Sequence, residues 1–367
     1  MKYISEFRDR KVAEKLVAEI RREAEDFREG CIRIMEVCGT HTMTIGKFGI
    51  RKILPESIRL LSGPGCPVCV TPDTYMDTAI KLSRMKDTVI ATFGDMMRVP
   101  GSFSSLEKEK AEGARIEVIY SPLDAVDIAD RHPGQGVILL GIGFETTVPA
   151  VALAIKRADE QKKRNFCVLS GHKLIPPAMA ALLQDRDVRI DGFLCPGHVS
   201  TVIGSHPYEF IPQRYKIPCV IGGFEPVDIL QSILMLVRKI ARHEEPSVEI
   251  QYKRIVKSEG NIKARNIIDD IFCRTDSEWR GIGNIKDSGL AIRKRYKFLD
   301  AEKRFPVAVK RSGRRTSCIC GDILKGKKTP AECRLFGRSC TPENPVGPCM
   351  VSSEGTCAAF YKYEGMR

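Results

Sequence analysis

Cysteine is the residue type best able to perform chemistry in this chain of 367 residues, which contains fourteen cysteines. Cys66-Pro67-Val68-Cys69 sets two thiols in a turn between Gly63-Pro64-Gly65 and Thr71-Pro72. Cys38 and His41 set a thiol and an imidazole at the same spacing. Thiolates and imidazoles so spaced can bind iron, exchange disulfides or act as a nucleophile with its base. Both motifs therefore predict redox or metal chemistry.

A second concentration of thiols occupies the last fifty residues, which hold six cysteines. Six are too many for one tetrahedral zinc, and the paired C-x₂-C knuckles of structural zinc sites are absent. Spacing therefore favours a [4Fe–4S] cluster over zinc but does not fix which four cysteines ligate. One division places Cys318, Cys333, Cys340 and Cys357 on the cluster and leaves Cys320 and Cys349 as a nearby dithiol.

The elements around these thiols predict where they lie in the fold. Residues 57–62 read as a buried strand, and Thr71 and Pro72 suit the N-cap and first position of a helix. Residues 32–37 read as another strand, which ends at Cys38. Thiols at carboxyl ends of strands lie where open α/β sheets bind ligands. We expect exposed turns there, with thiol pKa values lowered by adjacent helix amides.

Strands and helices alternate as far as about residue 245, which predicts an α/β fold with parallel sheets. Three short matches between the two halves follow one another in order, which suggests an internal repeat. We predict two related α/β domains, residues 31–133 and 134–245, which face each other across a functional cleft. The matching pairs are Val37-Cys38-Gly39 with Leu169-Ser170-Gly171, Pro64-Gly65-Cys66 with Pro196-Gly197-His198, and residues 89–94 with 220–225.

Four polar residues follow strands and are candidates for this cleft. Glu145 and Glu225 lie in Gly-Phe-Glu turns, whereas His172 and His198 lie in Gly-His turns. Capping of a helix N-terminus is the favoured alternative for the two carboxylates. For the histidines, a satisfied polar role at a turn is an equal alternative. We expect Cys31, Cys167, Cys195, Cys219 and Cys273 to be buried small hydrophobes.

The remaining segments predict one packed helix and one basic region. Residues 1–30 contain an amphipathic helix, and residues 246–367 form a basic segment followed by the cysteine-rich domain. Residues 251–315 hold eighteen Lys or Arg against eight Asp or Glu. A solvated face or an acidic protein partner is favoured over nucleic acid, since no binding motif or interleaved aromatics occur. We expect residues 276–315 to be irregular, with a hinge at 312–315.

The sequence begins without a charged and apolar leader, and its longest apolar stretches are too short to span a bilayer. We therefore expect a soluble cytoplasmic protein.

Taken together, these motifs resemble the HypD family of hydrogenase maturation proteins. The resemblance covers essentially the whole chain after residue 30. It is carried by Cys38-Gly39-Thr40-His41, residues 63–72, residues 143–147, Ser170-Gly171-His172-Lys173, Pro196-Gly197-His198-Val199 and residues 345–355.

This resemblance implies a scaffold on which the Fe(CN)₂CO group of [NiFe] hydrogenase is assembled, rather than a conventional turnover enzyme. The implied partners are the small chaperone HypC and HypE, which delivers cyanide as a thiocyanate. Cys38, with a cysteine of HypC, would hold the iron, and His41 would assist. Cys66 and Cys69 would act as a redox pair near that iron.

The resemblance also implies roles for the tail. Cys318, Cys333, Cys340 and Cys357 would hold a [4Fe–4S] cluster, and Cys320 and Cys349 would relay electrons to the cleft, as in ferredoxin:thioredoxin reductase. The main alternative is a freestanding thiol oxidoreductase that reduces a protein disulfide. A zinc-stabilised module with a nucleic-acid partner ranks below both. We expect no nucleic acid, no membrane, and a monomer when the chain is alone.

Overall fold

The computed structural model describes residues 5–25, 27, 30–309 and 317–365. The strands are β1 Ile32–Glu36, β2 Ile58–Ser62, β3 Thr88–Thr92, β4 Ile116–Val118, β5 Gly136–Gly141, β6 Phe166–Ser170, β7 Gly192–Pro196, β8 Cys219–Gly222, β9 Val248–Ile250, β10 Phe272–Trp279 and β11 Gly283–Ile292. The hinge predicted at 312–315 lies outside the described residues.

Helices connect most of these strands. They are α1 Arg10–Glu25, α2 Gly39–Lys47, α3 Ile50–Ile53, α4 Pro67–Val70, α5 Asp73–Ser83, α6 Leu106–Ala111, α7 Pro122–Arg131, α8 Val148–Glu160, α9 Ile175–Gln184, α10 Gly197–Ile203, α11 Phe210–Tyr215, α12 Pro226–Ala241, α13 Ile262–Ile271, α14 Ala301–Arg304, α15 Cys320–Leu324 and α16 Thr356–Tyr363. Short 3-10 helices cover Glu6–Arg8, Gly94–Arg98, His206–Tyr208, Lys294–Leu299, Pro330–Glu332 and Pro348–Met350.

Two parallel sheets organise the described part of the chain. In the first sheet the strand order is β2-β1-β7-β8-β9, and in the second it is β4-β3-β5-β6. Every pairing within these sheets is parallel. β5 is buried along its whole length, as expected for a strand with helices on both faces. The prediction of an α/β fold with parallel sheets is confirmed.

The strand order differs from the predicted division at residues 133 and 134. β3 and β4 pair in one sheet with β5 and β6, whereas β1 and β2 pair with β7, β8 and β9. Each sheet therefore combines strands from both halves of the sequence. The motifs that suggested a repeat are glycine- and proline-containing turns at strand ends. The internal repeat itself stays a prediction.

An antiparallel hairpin occupies part of the region expected to be irregular. β10 pairs with β11 from Phe272 opposite Ile292 to Trp279 opposite Gly283, with a bulge between Thr275 and Ser277. Charged residues alternate with few apolar ones, so the sequence carries little strand periodicity. The prediction of irregular structure was therefore wrong for residues 276–292.

This hairpin covers the carboxyl edge of the second sheet. The Ser170 hydroxyl at the end of β6 donates to the Leu290 carbonyl oxygen at 2.7 Å. The Leu174 amide donates to the Ser288 carbonyl oxygen at 2.8 Å. The loop that follows β6 is thereby bonded to β11 on its open side.

The N-terminal helix and the tail both pack onto this body. α1 packs along α12, where the Arg242 guanidinium pairs with the buried Glu23 carboxylate at 2.7 Å. The predicted packed helix is confirmed. The tail side chains Ile323, Leu324 and Met350 belong to the same apolar core as the Cys66–Cys69 turn. Among the helices of the described residues, none is long and apolar enough to cross a membrane.

Candidate metal and thiol site

The Cys66–Cys69 turn forms one short helix of its own. Cys66 is the N-cap of α4, its sulfur accepts the Cys69 amide at 3.3 Å, and the two sulfurs form a disulfide with Cα atoms 5.3 Å apart. The following helix begins at Asp73, one residue later than predicted. Both cysteines are buried, because the tail covers a turn that the sequence presented as exposed.

Glycine allows this turn to lie directly against the loop of Cys38. A Cβ atom at Gly65 would lie 2.3 Å from the Cys38 backbone nitrogen. The Gly39 amide donates to the Gly65 carbonyl oxygen at 3.0 Å. The two thiol motifs are therefore adjacent at the carboxyl ends of β1 and β2, as their positions in the sequence predicted.

Cys38 lies at the N-terminus of α2, yet its thiol is not acidic. The backbone amides of Thr40 and His41 favour the thiolate, but complete burial and the nearby Glu354 charge raise the pKa of Cys38 to about 12. The expected lowering by helix amides is thus absent at Cys38, since desolvation outweighs the helix terminus. At neutral pH the thiol keeps its proton until a cation compensates the buried charge.

His41 presents an unpartnered nitrogen in the same place. Its Nε2 donates to the carbonyl oxygens of Gly223 at 2.9 Å and Gly222 at 3.3 Å. Because carbonyls only accept, Nε2 carries the proton and Nδ1 is left with a lone pair. That Nδ1 is buried and has no partner within the described residues. Burial lowers the pKa of His41 to about 4, so the ring is neutral and able to ligate a metal.

His198 joins this group at the protein surface. The Phe224 ring lies 5.0 Å from the His41 ring and 3.8 Å from the His198 ring, which it stacks against. His198 is exposed as a residue, although partial burial still lowers its pKa. The structure therefore connects the Cys38 motif to solvent through His198.

Glu354 was not singled out as a site residue by the sequence. The Thr40 hydroxyl donates to its Oε1 at 2.6 Å, and its charge acts on both Cys38 and His198. A Cβ atom at Gly39 would lie 2.5 Å from the Glu354 Cβ, so glycine allows the tail to approach this closely. Sequence separation hid the contact. In the sequence, the only indication of its role was that an acidic residue lies within the tail motif of residues 345–355.

Glu225 fits the capping alternative. It is the N-cap of α12, where it forms a reciprocal capping box with Asp228. Its carboxylate also pairs with Arg8, which carries the N-terminal segment to this edge of the first sheet. Glu225 therefore lies near Phe224 at the rim, with its carboxylate already engaged.

Glu145 and His172 belong to the second sheet, beneath the hairpin. Glu145 Oε1 accepts the Ile175 amide at 3.0 Å and so caps α9, while burial raises the pKa of Glu145 to about 7. Burial lowers the pKa of His172 to about 3, and its ring meets Phe272 edge-on at 5.4 Å. No contact recorded for the described residues joins either group to Cys38. A single cleft for all four candidates therefore stays a prediction.

The tail brings its cysteines together around Cys357. Burial is the main cause that raises the pKa of Cys357, and the charges of four other tail cysteines raise this pKa further. The Val346 amide donates to the Cys340 sulfur at 3.3 Å. Four soft donors with backbone amides directed at sulfur suit an iron–sulfur cluster. The other cysteines near Cys357 are Cys318, Cys320, Cys333 and Cys340.

The tail cysteines offer only soft sulfur donors, which is the ligand chemistry of an iron–sulfur cluster. Within the described ranges, no three His, Cys, Asp or Glu side chains converge closely enough to hold a single metal ion. A [4Fe–4S] cluster in the tail stays a prediction.

Cys320 and Cys349 extend from this group toward the Cys66–Cys69 disulfide. Interaction with the Cys320 thiol raises the pKa of Cys318, and Cys320 interacts with Cys349 as well. The 3-10 helix that contains Cys349 contacts α4. Thiols thus lie in series between the candidate cluster ligands and the loop of Cys38.

Most remaining cysteines are structural. Cys167, Cys195 and Cys219 are fully buried among apolar residues, as predicted. The prediction of burial was wrong for Cys31 and Cys273, which are partly exposed: Cys31 precedes β1, and Cys273 is the second residue of β10 in the hairpin.

Comparison with known proteins decides the family. A family model described as "HypD: Hydrogenase formation hypA family" matches residues 11–364. This chain belongs to the HypD family. The resemblance inferred from the motifs is therefore confirmed.

Individual relatives match over their full length. "Hydrogenase maturation factor HypD2" of Bradyrhizobium diazoefficiens is 47% identical, with 100% of this chain and 98% of that protein covered. "Hydrogenase maturation factor HypD" of Rhodobacter capsulatus is 46% identical over 100% of this chain and 99% of its own. The Escherichia coli (strain K12) protein is 43% identical over 99% and 98%. The HypD assignment thus covers the sheets, the hairpin and the tail.

Proposed function

We propose that this HypD-family chain acts in hydrogenase maturation, as the scaffold on which an Fe(CN)₂CO group is assembled. The observation that carries the proposal is that the Cys38 thiol and the unpartnered His41 Nδ1, three residues apart at the start of α2, are both buried. Both are buried, both are soft or borderline donors, and the group reaches solvent at His198. Iron is here the substrate that is bound and passed on.

Iron binding at Cys38 exchanges a proton for a metal. The S–H bond breaks, an S–Fe bond forms, and the proton must leave a buried site. The Glu354 carboxylate, held by the Thr40 hydroxyl at 2.6 Å, is placed to receive it. A cation at Cys38 also offsets the negative charge of Glu354, which otherwise opposes the thiolate.

The Cys38 site lacks ligands for iron that a partner protein would have to supply. Cys38 presents a free thiol at the end of β1, whereas Cys66 and Cys69, which follow β2, are joined as a disulfide. A HypC-like chaperone would add a second thiolate, and a HypE-like protein would supply cyanide. The exposed His198 and half-buried Phe224 mark the side from which such partners can approach.

Cyanide attachment requires electrons that thiols can provide. Release of cyanide from a protein thiocyanate takes two electrons and one proton and leaves a thiol. A dithiol supplies both electrons when it becomes a disulfide, and Cys66 and Cys69, which are close enough to form one, would be that dithiol. Cys320 and Cys349 can reduce that disulfide again by thiol exchange, because their segment contacts α4.

The tail is proposed to hold the resident [4Fe–4S] cluster through Cys318, Cys333, Cys340 and Cys357. When bound, the cluster supplies single electrons. The chain contributes the Val346 amide, which donates to the Cys340 sulfur at 3.3 Å. The Cys349 thiol and burial raise the pKa of the Cys320 thiol, and the charge of Arg280 only partly opposes that rise. The Arg280 amide donates to the Val70 carbonyl oxygen at 2.9 Å, so this residue connects the tail with the Cys66–Cys69 turn.

Metal and sulfide analysis after anaerobic purification tests the tail assignment. We expect about four iron and four sulfide per chain, with a brown chromophore. Stoichiometric zinc without sulfide, persisting after reconstitution, would contradict it.

Infrared spectroscopy of the complex with a HypC-like chaperone then tests the scaffold. Cyanide and carbonyl bands are expected from the complex. Turnover of a protein disulfide without those bands, and without iron beyond the cluster, would instead favour the thiol oxidoreductase.

A further inference from the structure

A basic cavity opens onto one of the proposed cluster ligands. It has a volume of about 650 Å³ and lies between the start of α3 and the tail segment 331–338. Cys333 lines it, whereas neither Cys340 nor Cys357 does. This cavity therefore gives solvent a direct approach to one corner of the cysteine group.

Positive charge predominates around the opening. Lys52, Arg334 and Arg338 line the cavity and are exposed, and no ion pair or hydrogen bond of their side chains is recorded among the described residues. We call these three residues the basic collar. Exposed cations without partners keep their full charge for an approaching molecule.

The acids beside the collar are already engaged. Glu332 accepts from the Thr329 amide at 2.6 Å and from its hydroxyl at 2.9 Å. Glu364 pairs with Arg51 at 2.8 Å. The Arg51 charge offsets that of Glu364, whereas Glu332 keeps its own, so the three collar cations exceed the remaining carboxylate charge by two.

Two aromatic side chains form an apolar part of the cavity lining. Phe336 and Phe360 both line the cavity, and the Arg51 guanidinium lies 4.9 Å from the centre of the Phe360 ring. Apolar contact inside a charged rim is the usual composition of a protein–protein interface.

We propose that the basic collar docks an acidic one-electron carrier protein, such as a reduced ferredoxin, beside Cys333. The inference rests on the proposed function, because it assumes a cluster in the tail. The carrier loses one electron and the cluster gains it, so no other reductant is needed. Electron-transfer complexes are small and short-lived, and charge steering sets their association rate more than buried area does.

The test uses the full chain with its cluster and a dithionite-reduced plant-type ferredoxin as the probe. Lys52→Glu/Arg338→Glu reverses two collar charges without changing a residue adjacent to a proposed ligand. Lys86→Glu/Lys110→Glu is the matched control, because both lysines are exposed, have no recorded partner among the described residues and lie outside the cavity. Binding is measured by biosensor, and cluster reduction by stopped-flow bleaching, at low and at high salt.

The collar variant should associate with ferredoxin about tenfold or more slowly at low salt, and the difference should shrink as salt screens the charges. The control variant should match wild type, and all three proteins should contain equal iron and sulfide. Equal, salt-independent association of all three proteins would overturn the docking proposal while leaving the cluster intact. Absence of iron and sulfide from wild type would instead overturn the proposed function.

Discussion

The two sheets end in loops of similar sequence, but different parts of the chain cover them, and only the first sheet keeps an exposed histidine among these candidates. At the second sheet, β10 and β11 cover Glu145, His172 and Lys173, which are almost completely buried. At the first sheet, the tail covers Cys38 and His41 from one side, and His198 stays exposed. Equivalent positions in a parallel sheet therefore serve different purposes, according to what packs over them.

Burial alone does not distinguish a functional group from a structural one in this molecule. His41 and His172 are both neutral and both keep one buried nitrogen without a partner in the described residues. The difference lies in their neighbours, since the His41 backbone amide faces the Cys38 sulfur and its ring contacts Phe224, which stacks on the exposed His198. His172 lies beside Ser170, Lys173 and the hairpin residue Phe272.

The largest difference between the two sheets is expected in the loss of stability when the aromatic residue that packs over each sheet is replaced by alanine. Trp279 is fully buried, lies 6.0 Å from the Phe144 ring and donates to the Ser288 hydroxyl at 2.9 Å. Trp279→Ala should cost about 3–5 kcal/mol of unfolding free energy, because a large cavity opens under the hairpin. Denaturant unfolding and hydrogen exchange of residues 283–292 measure this loss.

Phe224→Ala is the matching change on the first sheet. Phe224 is only half-buried, so we expect a loss of about 1 kcal/mol in stability. Iron retention by the complex with a HypC-like chaperone should nevertheless fall, because Phe224 positions the rings of His41 and His198. A larger stability loss in Phe224→Ala than in Trp279→Ala would contradict this difference between the two sheets.

A smaller effect should appear in the pH dependence. The folded pKa values of about 4 for His41 and about 3 for His172 lie below the unfolded value near 6.5. The unfolded chain therefore binds more protons in this window, and stability falls as pH decreases from about 6.5 toward 4, by at most about 1.4 kcal/mol per pH unit for each ring. The raised pKa of Glu145, about 7, acts in the opposite direction between about 4.5 and 7.

NMR of ¹⁵N-histidine-labelled protein separates these contributions. At pH 5 both rings should be neutral, and a titration of either ring near pH 6.5 would contradict its burial. Loading of iron should shift the His41 nitrogens and leave those of His172 unchanged. An equal shift of both rings would remove the distinction between the two sheets.

Local patterns predicted much of the fold from the sequence. The strands predicted at residues 32–37 and 57–62 form β1 and β2. The hairpin was not predicted because it is bonded to the loops of the second sheet, while its own sequence has little hydrophobic periodicity. The strand order was also not predicted, because it depends on contacts between residues more than a hundred positions apart in the sequence.

The candidate site was predictable where its residues are close in sequence. The Cys38–His41 and Cys66–Cys69 motifs were found because their spacing is local, and their adjacency followed from strand ends in a parallel sheet. Glu354 was missed because it reaches Thr40 only through the folded tail. The raised pKa of Cys38 was missed because burial is a property of the whole structure.

The central claim is that Cys38 on the open edge of the first sheet holds the iron under assembly. The most direct measurement is infrared spectroscopy of the complex of the Cys38→Ala variant with a HypC-like chaperone, beside wild type and a Cys31→Ala control. Cys38→Ala should lose the cyanide and carbonyl bands and keep the [4Fe–4S] chromophore, whereas Cys31→Ala should keep both. Retention of the cyanide and carbonyl bands in Cys38→Ala would contradict the account.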